Sequence, residues 1–361
     1  MFDNTGLLRP LLAVFLFVSI TSCSDGVKKR TVEVSYSFEA SGVPLNAKSI
    51  KVWVPYPLDS EGQSILDMEI NAPSSYEITR DSEWGNSIVY FKPSAIDGKF
   101  AFSMRFVVER NEISNKVTPF PKGGLGGIKD FTYSKAETID KEAFSRYLKP
   151  SAFAVHDDRV RRFAAEAISG ETTIVEKARG IYDFTLKNMA YDKSVAGWGK
   201  GDVKRICLSI GEGRKGSGNC TDFHSFFSSL MQVSGVPVVF EMGFPLSVAK
   251  GASKTVEGGY HCWAKFFVPG FGWVPVDISE ASKEPSKGNY YFGSIDENRI
   301  LFSRGRDVLL TPPQSGGRLN FFGPDPYIEV DGKPFKGFKR TITYVDVASQ
   351  NAAGRCPVSK K

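Results

Sequence analysis

The chain has 361 residues, a formal net charge of +6, 41% hydrophobic and 24% charged residues. This length accommodates two cores, and the composition is that of a folded chain, which excludes a disordered or fibrous one. The positive charge is spread along the whole length without a dense basic run, so nucleic acid is not an expected partner.

Taken in order, the chain begins with what reads as an export signal. Arg9 precedes an apolar run from Leu11 to Ile20, too short to span a bilayer and suited to a secretory h-region. Ile20-Thr21-Ser22-Cys23 resembles the lipobox of bacterial lipoproteins, whose cysteine is acylated and becomes the new N-terminus. Residues 1–22 are therefore expected to be a signal peptide and 23–30 a tether. The resemblance implies a lipid anchor at Cys23 on a membrane surface, facing the periplasm at the outer membrane if the cell is Gram-negative. Cys207, Cys220, Cys262 and Cys356 remain. An exported compartment permits disulfides, but a free Cys220 would leave at most one bridge among the other three.

Residues 31–113 alternate with period two. Val32, Val34, Tyr36 and Phe38 set the pattern, Ile50, Val52 and Val54 repeat it, and Phe100 to Val108 is the longest run. Turn residues separate the runs, which predicts an antiparallel β-sandwich. Asp81 and Glu83 read as a solvated rim. Residues 114–148 form a connector, rich in Pro and Gly at first, with Phe131, Tyr133, Phe144 and Tyr147 available for burial.

Helices are expected after Pro150, within a second domain spanning 149–315. Val160, Phe163, Ala164, Ala167 and Ile168 share one face, and Thr173 to Glu176 matches a capping box before a second helix. His156 reads as a cap or surface residue. Tyr191 to Asn219 reads as a long loop with seven glycines, and carries Trp198 and the cations Lys204, Arg205, Arg214 and Lys215.

Then comes Gly216-Ser217-Gly218-Asn219-Cys220. Phe223, Phe226, Phe227, Leu230 and Met231 follow at the spacing of a helix with one buried face. Asn219 is a suitable N-cap and Gly235-Val236-Pro237 closes the far end. Cys220 thus opens a helix, where unpaired N–H groups and the helix dipole favour a thiolate, with Asp222 partly opposing it.

Tyr260 to Val268 reads as a strand, Pro269 to Gly272 as a turn, and Trp273 to Asp277 as the return strand. His261 and Asp277 then meet at one end of a hairpin. They share a face if its loop is odd in length or a bulge intervenes. Strands are expected at Tyr290–Phe292 and Arg299–Phe302. In the extension from 316 to 361, a hairpin is expected at Asp331-Gly332 and a last strand near Thr341 to Val347.

A helix-borne thiol, a strand histidine and a nearby aspartate are the parts of a Cys-His-Asp triad: nucleophile, base and orienter. Here they stand in G-N-C-T-D-F-H and in Y-H-C-W-A-K-F-F-V-P-G-F-G-W-V-P-V-D. That combination resembles the transglutaminase-like superfamily, over about residues 155–310. The resemblance implies an α+β chain whose papain-like unit packs a cysteine helix on an antiparallel sheet, behind the N-terminal β-sandwich. It carries over Cys220, His261 and Asp277, and offers Trp198 as an oxyanion donor. His224, four residues after Cys220, is the rival base, and the family pattern makes it structural. Animal members depend on calcium; this sequence shows no calcium loop, and no metal or cofactor is expected. The implied activity is acyl transfer or hydrolysis at a peptide or protein amide through a thioester. The alternative is a surface-anchored binding or assembly module of the same fold without turnover.

Overall fold

The computed structural model describes residues 27–114, 138–251, 254–256 and 259–347. Cys23, the rest of the expected signal peptide, most of the connector and Cys356 lie outside them. The expected α+β architecture is what the chain adopts: two five-stranded sheets and a four-stranded sheet, all antiparallel, with helices gathered on the last.

The period-two segments form both sheets of a sandwich. In one, Lys29–Ser41 lies between Lys99–Asn111 and Phe338–Asp346. In the other, Ile50–Pro55 lies between Ser87–Phe91 and Tyr327–Val330. The alternation is literal: Val32, Val34, Tyr36 and Phe38 are buried and face Val52, Val54, Val89 and Phe91 in one core. A period of two puts every second side chain on the same face, so this core follows from the sequence pattern.

The C-terminal extension supplies strands to both sandwich sheets, so segments from both ends of the chain, with the helical region between them in sequence, complete the sandwich. Asp331 and Gly332 form the expected two-residue turn, both at positive φ (50° and 75°), the backbone a tight hairpin with right-handed twist requires.

The four-stranded sheet runs in the order Gly272–Val276, His261–Val268, Val238–Pro245, Arg299–Arg304. The helix Cys220–Val233 packs on one face of it, with Asp158–Ala167 and Ile174–Asn188 behind the helix. Trp263 and Leu301 point the other way, into a small core with Leu58 and Ile113 from the sandwich side.

Several expectations change. The cysteine helix is buried on all sides over Cys220–Met231 rather than on one face. Its second face is polar, but His224 and Ser228 find partners inside the protein. The long glycine loop contains a helix, Val203–Ser209, which a window rich in glycine concealed. Tyr290–Phe292 is a turn that makes a single bridge to Val276, not a strand. Asp81 is not a solvated rim: it is 2% exposed, and its carboxylate accepts from the N–H groups of Glu83, Trp84, Gly85 and Asn86. A short carboxylate beside a turn is suited to such a nest of N–H donors. Of the connector aromatics, Phe144 and Tyr147 pack on Trp273.

Candidate active site

Cys220 is the first residue of its helix. Asn219 caps it by accepting from the Thr221 N–H at 3.0 Å, and Asp222 returns a bond to the Asn219 N–H, also at 3.0 Å. Asp222 also accepts from the N–H groups of Gly199 (2.6 Å) and Gly201 (3.1 Å) and from Arg205 (3.0 Å). Its charge is therefore neutralised on the loop side and does not oppose a thiolate as expected. Arg205 is spent on Asp222 rather than on the thiol. A side chain at Gly218 would overlap the Asp222 carboxylate, which gives one glycine of the G-S-G-N-C run a steric reason.

The hairpin satisfies the parity condition. Val268 pairs with Gly272, leaving the three-residue loop 269–271, so His261 and Asp277 fall on one face. Asp277 is not on the return strand, which ends at Val276; it caps the next helix, Ile278–Lys283, accepting from the Glu280 N–H at 3.0 Å. Leaving the strand turns its carboxylate toward the imidazole. His261 Nε2 donates to Asp277 Oδ2 at 2.6 Å, and the imidazole and the Cys220 thiol lie close enough to shift each other's ionisation. With Nε2 taken, Nδ1 is the nitrogen that faces sulfur.

The three groups polarise one another. Contact with the Cys262 thiol holds the Cys220 thiol well below its ordinary range, and the His261 hydrogen bond and charge add to this against the cost of burial. Burial alone would depress the imidazolium, but the Asp277 charge and hydrogen bond, with Cys220, push His261 up to about 10. Burial likewise opposes ionisation of Asp277, yet the charges of His261 and Arg299 keep it well below the carboxylate range. These directions favour a buried thiolate–imidazolium pair with a fixed counter-charge.

His224 is in the same cluster and does a different job. Its Nδ1–H donates to the Cys220 carbonyl at 2.8 Å, and its Nε2 accepts from the Ile278 N–H at 3.1 Å. Both ring nitrogens are occupied, and burial lowers its pKa, so it is a neutral tie.

Two residues sequence reasoning passed over belong here. Cys262, which alternates away from His261 along its strand, is buried with Cys220, Phe240 and Met242 in one cluster, 3.7 Å from Thr221 Oγ1. Its strand packs against the cysteine helix, so the residue facing away from His261 faces the thiol. Arg299 reaches Asp277 Oδ2 at 2.6 Å from a strand that follows it by 22 positions, a juxtaposition only the sheet order creates. Trp198 stands 39% exposed with the Lys193 ammonium over its ring at 5.5 Å; the Gly199 bond to Asp222 ties its loop to the helix start. Cys220 is 2% exposed, and Tyr260 and Phe321 pack on its cluster. Cys207, Cys220 and Cys262 are all free.

His261, Asp277 and Glu280 place possible ligand atoms within 4.8 Å of one another. The first two are hydrogen-bonded directly, and Arg299 occupies the same carboxylate oxygen. The cation at this carboxylate is therefore a protein side chain, and the residues do not fit a metal.

Residues 161–278 match the family described as the transglutaminase-like superfamily. An "Uncharacterized protein" of Haemophilus influenzae is 30% identical over 320 residues, covering 80% of this chain and 82% of that one. A crystal structure described as "a Putative Cysteine Protease from Cytophaga hutchinsonii" aligns with TM-score 0.55 at 13% identity, over 89% of this chain and 92% of that one. At that identity the likeness is one of fold.

Proposed function

The chain belongs to the transglutaminase-like superfamily, and from that premise we propose that it is a thiol enzyme opening a peptide or protein amide through a thioester at Cys220. The observation that carries the reading is His261, bonded to Asp277 at 2.6 Å and near enough to Cys220 that the two shift each other's ionisation. The thiolate sulfur bonds to the amide carbon, the C–N bond breaks, and the departing amine takes the proton from His261. Water or a second amine then attacks the thioester and gives its proton to His261. The C–S bond breaks and the thiolate returns. The first-turn N–H of Cys220 is one of those a helix leaves without an intrahelical partner, and we assign it to the oxyanion. Trp198 is the second donor in this reading, on the strength of the loop tie through Gly199. Hydrolysis is the preferred outcome over cross-linking by analogy with bacterial members. Lipidation of Cys23 would place the reaction at a membrane surface; Ile20 to Ser22 ahead of it supports that part.

The test is a screen of peptides with an amine donor, comparing the wild type with Cys220→Ala by mass spectrometry. Cleavage that depends on Cys220 supports a peptidase or amidase. Loss of ammonia with gain of the amine mass supports transfer. If neither product depends on Cys220, the binding-module reading replaces this one.

A further inference from the structure

We infer that Arg299 is a positioning residue of this site, a charged clamp that fixes the Asp277 carboxylate in the orientation His261 needs. This deepens the proposed function and rests on it. Asp277 accepts four hydrogen bonds. Ser279 Oγ and the Glu280 N–H, each at 3.0 Å, take Oδ1, while His261 and Arg299, each at 2.6 Å, share Oδ2. Without the guanidinium, Oδ2 would have His261 alone, and only the two neutral bonds at Oδ1 would resist rotation of the carboxylate. With it, the oxygen is held from two sides in a site where Asp277 is 0% exposed and Arg299 2%. Charge-assisted bonds of this kind are short and strong when desolvated.

Arg299 is itself held. Asp296 Oδ1 accepts from its Nη2 at 3.4 Å, and the guanidinium lies 5.1 Å from the Trp263 ring centre. Its strand is fastened to the sandwich by Gln63, which accepts from the Leu301 N–H and donates to the Leu301 carbonyl, both at 2.8 Å. The sandwich thus has a mechanical task here: it buttresses the strand that carries the clamp. It also contributes Arg110, whose pKa is lowered to about 10 by burial and by the Arg299 charge. A buried guanidinium beside another is costly, and the Asp296 and Asp277 carboxylates offset that cost at Arg299.

The charged and titratable neighbours of the pair act in known directions. Asp296 and Asp277 stabilise the Arg299 charge, as Tyr291 does when ionised, and Arg110 opposes it. His261 and Arg299 stabilise ionised Asp277, and His224 would add to this only when protonated. Cys262 and His261 stabilise the Cys220 thiolate, and His224 would add to this only when protonated. Removing the Arg299 charge makes Asp277 easier to protonate and frees it to turn from His261, whose imidazolium supports the thiolate. Both effects move the acid limb of thiol reactivity toward higher pH.

The experiment is iodoacetamide alkylation of Cys220 against pH, followed by mass spectrometry, in the wild type and in Arg299→Met, Arg299→Gln and Arg299→Lys. The neutral variants are expected to raise the half-point by about one unit, and Arg299→Lys by a smaller, measurable amount because it keeps the charge without the fork. A merely structural role would lower stability and leave the half-point where it is. A folded neutral variant with the wild-type half-point overturns the assignment. Should both neutral variants fail to fold, Arg299→Lys decides, and a wild-type rate and half-point there overturn it. A wild-type thiol that titrates like a free cysteine sinks the proposed function and this assignment together. A depressed wild-type thiol with unshifted Arg299 variants sinks only the assignment.

Discussion

His224 joins the two halves of the site: one ring nitrogen binds the Cys220 carbonyl at 2.8 Å and the other the N–H of Ile278 at 3.1 Å, the residue directly after Asp277. The histidine that stands nearest the nucleophile in sequence is thereby a brace between the cysteine helix and the aspartate turn. It has no lone pair left to act as base.

Replacing His224 by Phe is therefore expected to cost stability, about 1–3 kcal/mol for two buried groups left unpaired. Some thiol reactivity remains in the folded fraction. His261→Ala is expected to leave the fold and lower turnover by roughly 10²–10⁴-fold. Urea unfolding and peptide turnover on both variants check this; the reverse pattern would make His224 the base.

Turnover should follow a bell-shaped pH profile. The lower limb belongs to formation of the thiolate, which the site holds well below the ordinary thiol range. The upper limb belongs to His261, raised to about 10: its imidazolium is present below that value and lost as pH rises through it, and with it the proton for the leaving amine. A kcat/KM profile that falls near pH 6.5, the ordinary histidine value, would contradict this.

Asp222→Asn removes the charge that faces Arg205 and leaves one oxygen to serve three N–H groups. The expected cost is about 2–4 kcal/mol, with the Gly199–Gly201 loop opened to protease. Denaturant unfolding and limited proteolysis read the two effects separately.

Cys262→Ala removes the thiol whose contact is the first cause of the low Cys220 pKa. The half-point of Cys220 alkylation should rise, while the fold, which loses one small side chain from the cluster, survives. An unchanged half-point would show that the imidazole alone holds the thiolate.

Which of these features a sequence can carry depends on how far apart the partners lie. The helix opened by Cys220, its Asn219 cap and the strand of His261 are local, written in periodicities of 3.6 and 2 that a window of a dozen residues contains. Asp277 was legible as a residue, but not as a helix cap, because the end of a strand is set by pairing. Trp198 was placed before the cysteine, while its exposure depends on how its loop folds against Asp222. Arg299, Gln63 and the strand Phe338–Asp346 enter through sheet order, which joins segments from opposite ends of the chain. Strand alternation turns Cys262 away from His261 and into a buried position, but it does not show that this face is the one under the cysteine helix.

The most direct measurement is competitive alkylation of Cys207, Cys220 and Cys262 at about pH 6, with each site quantified by mass spectrometry. Cys207, pushed up to about 12 by burial, is the internal control for an inert thiol. The account predicts that Cys220 reacts first and already near its plateau rate. If Cys220 instead stays silent until pH rises through about 8.5, as a free thiol does, the thiolate–imidazolium pair does not exist and the enzyme reading falls.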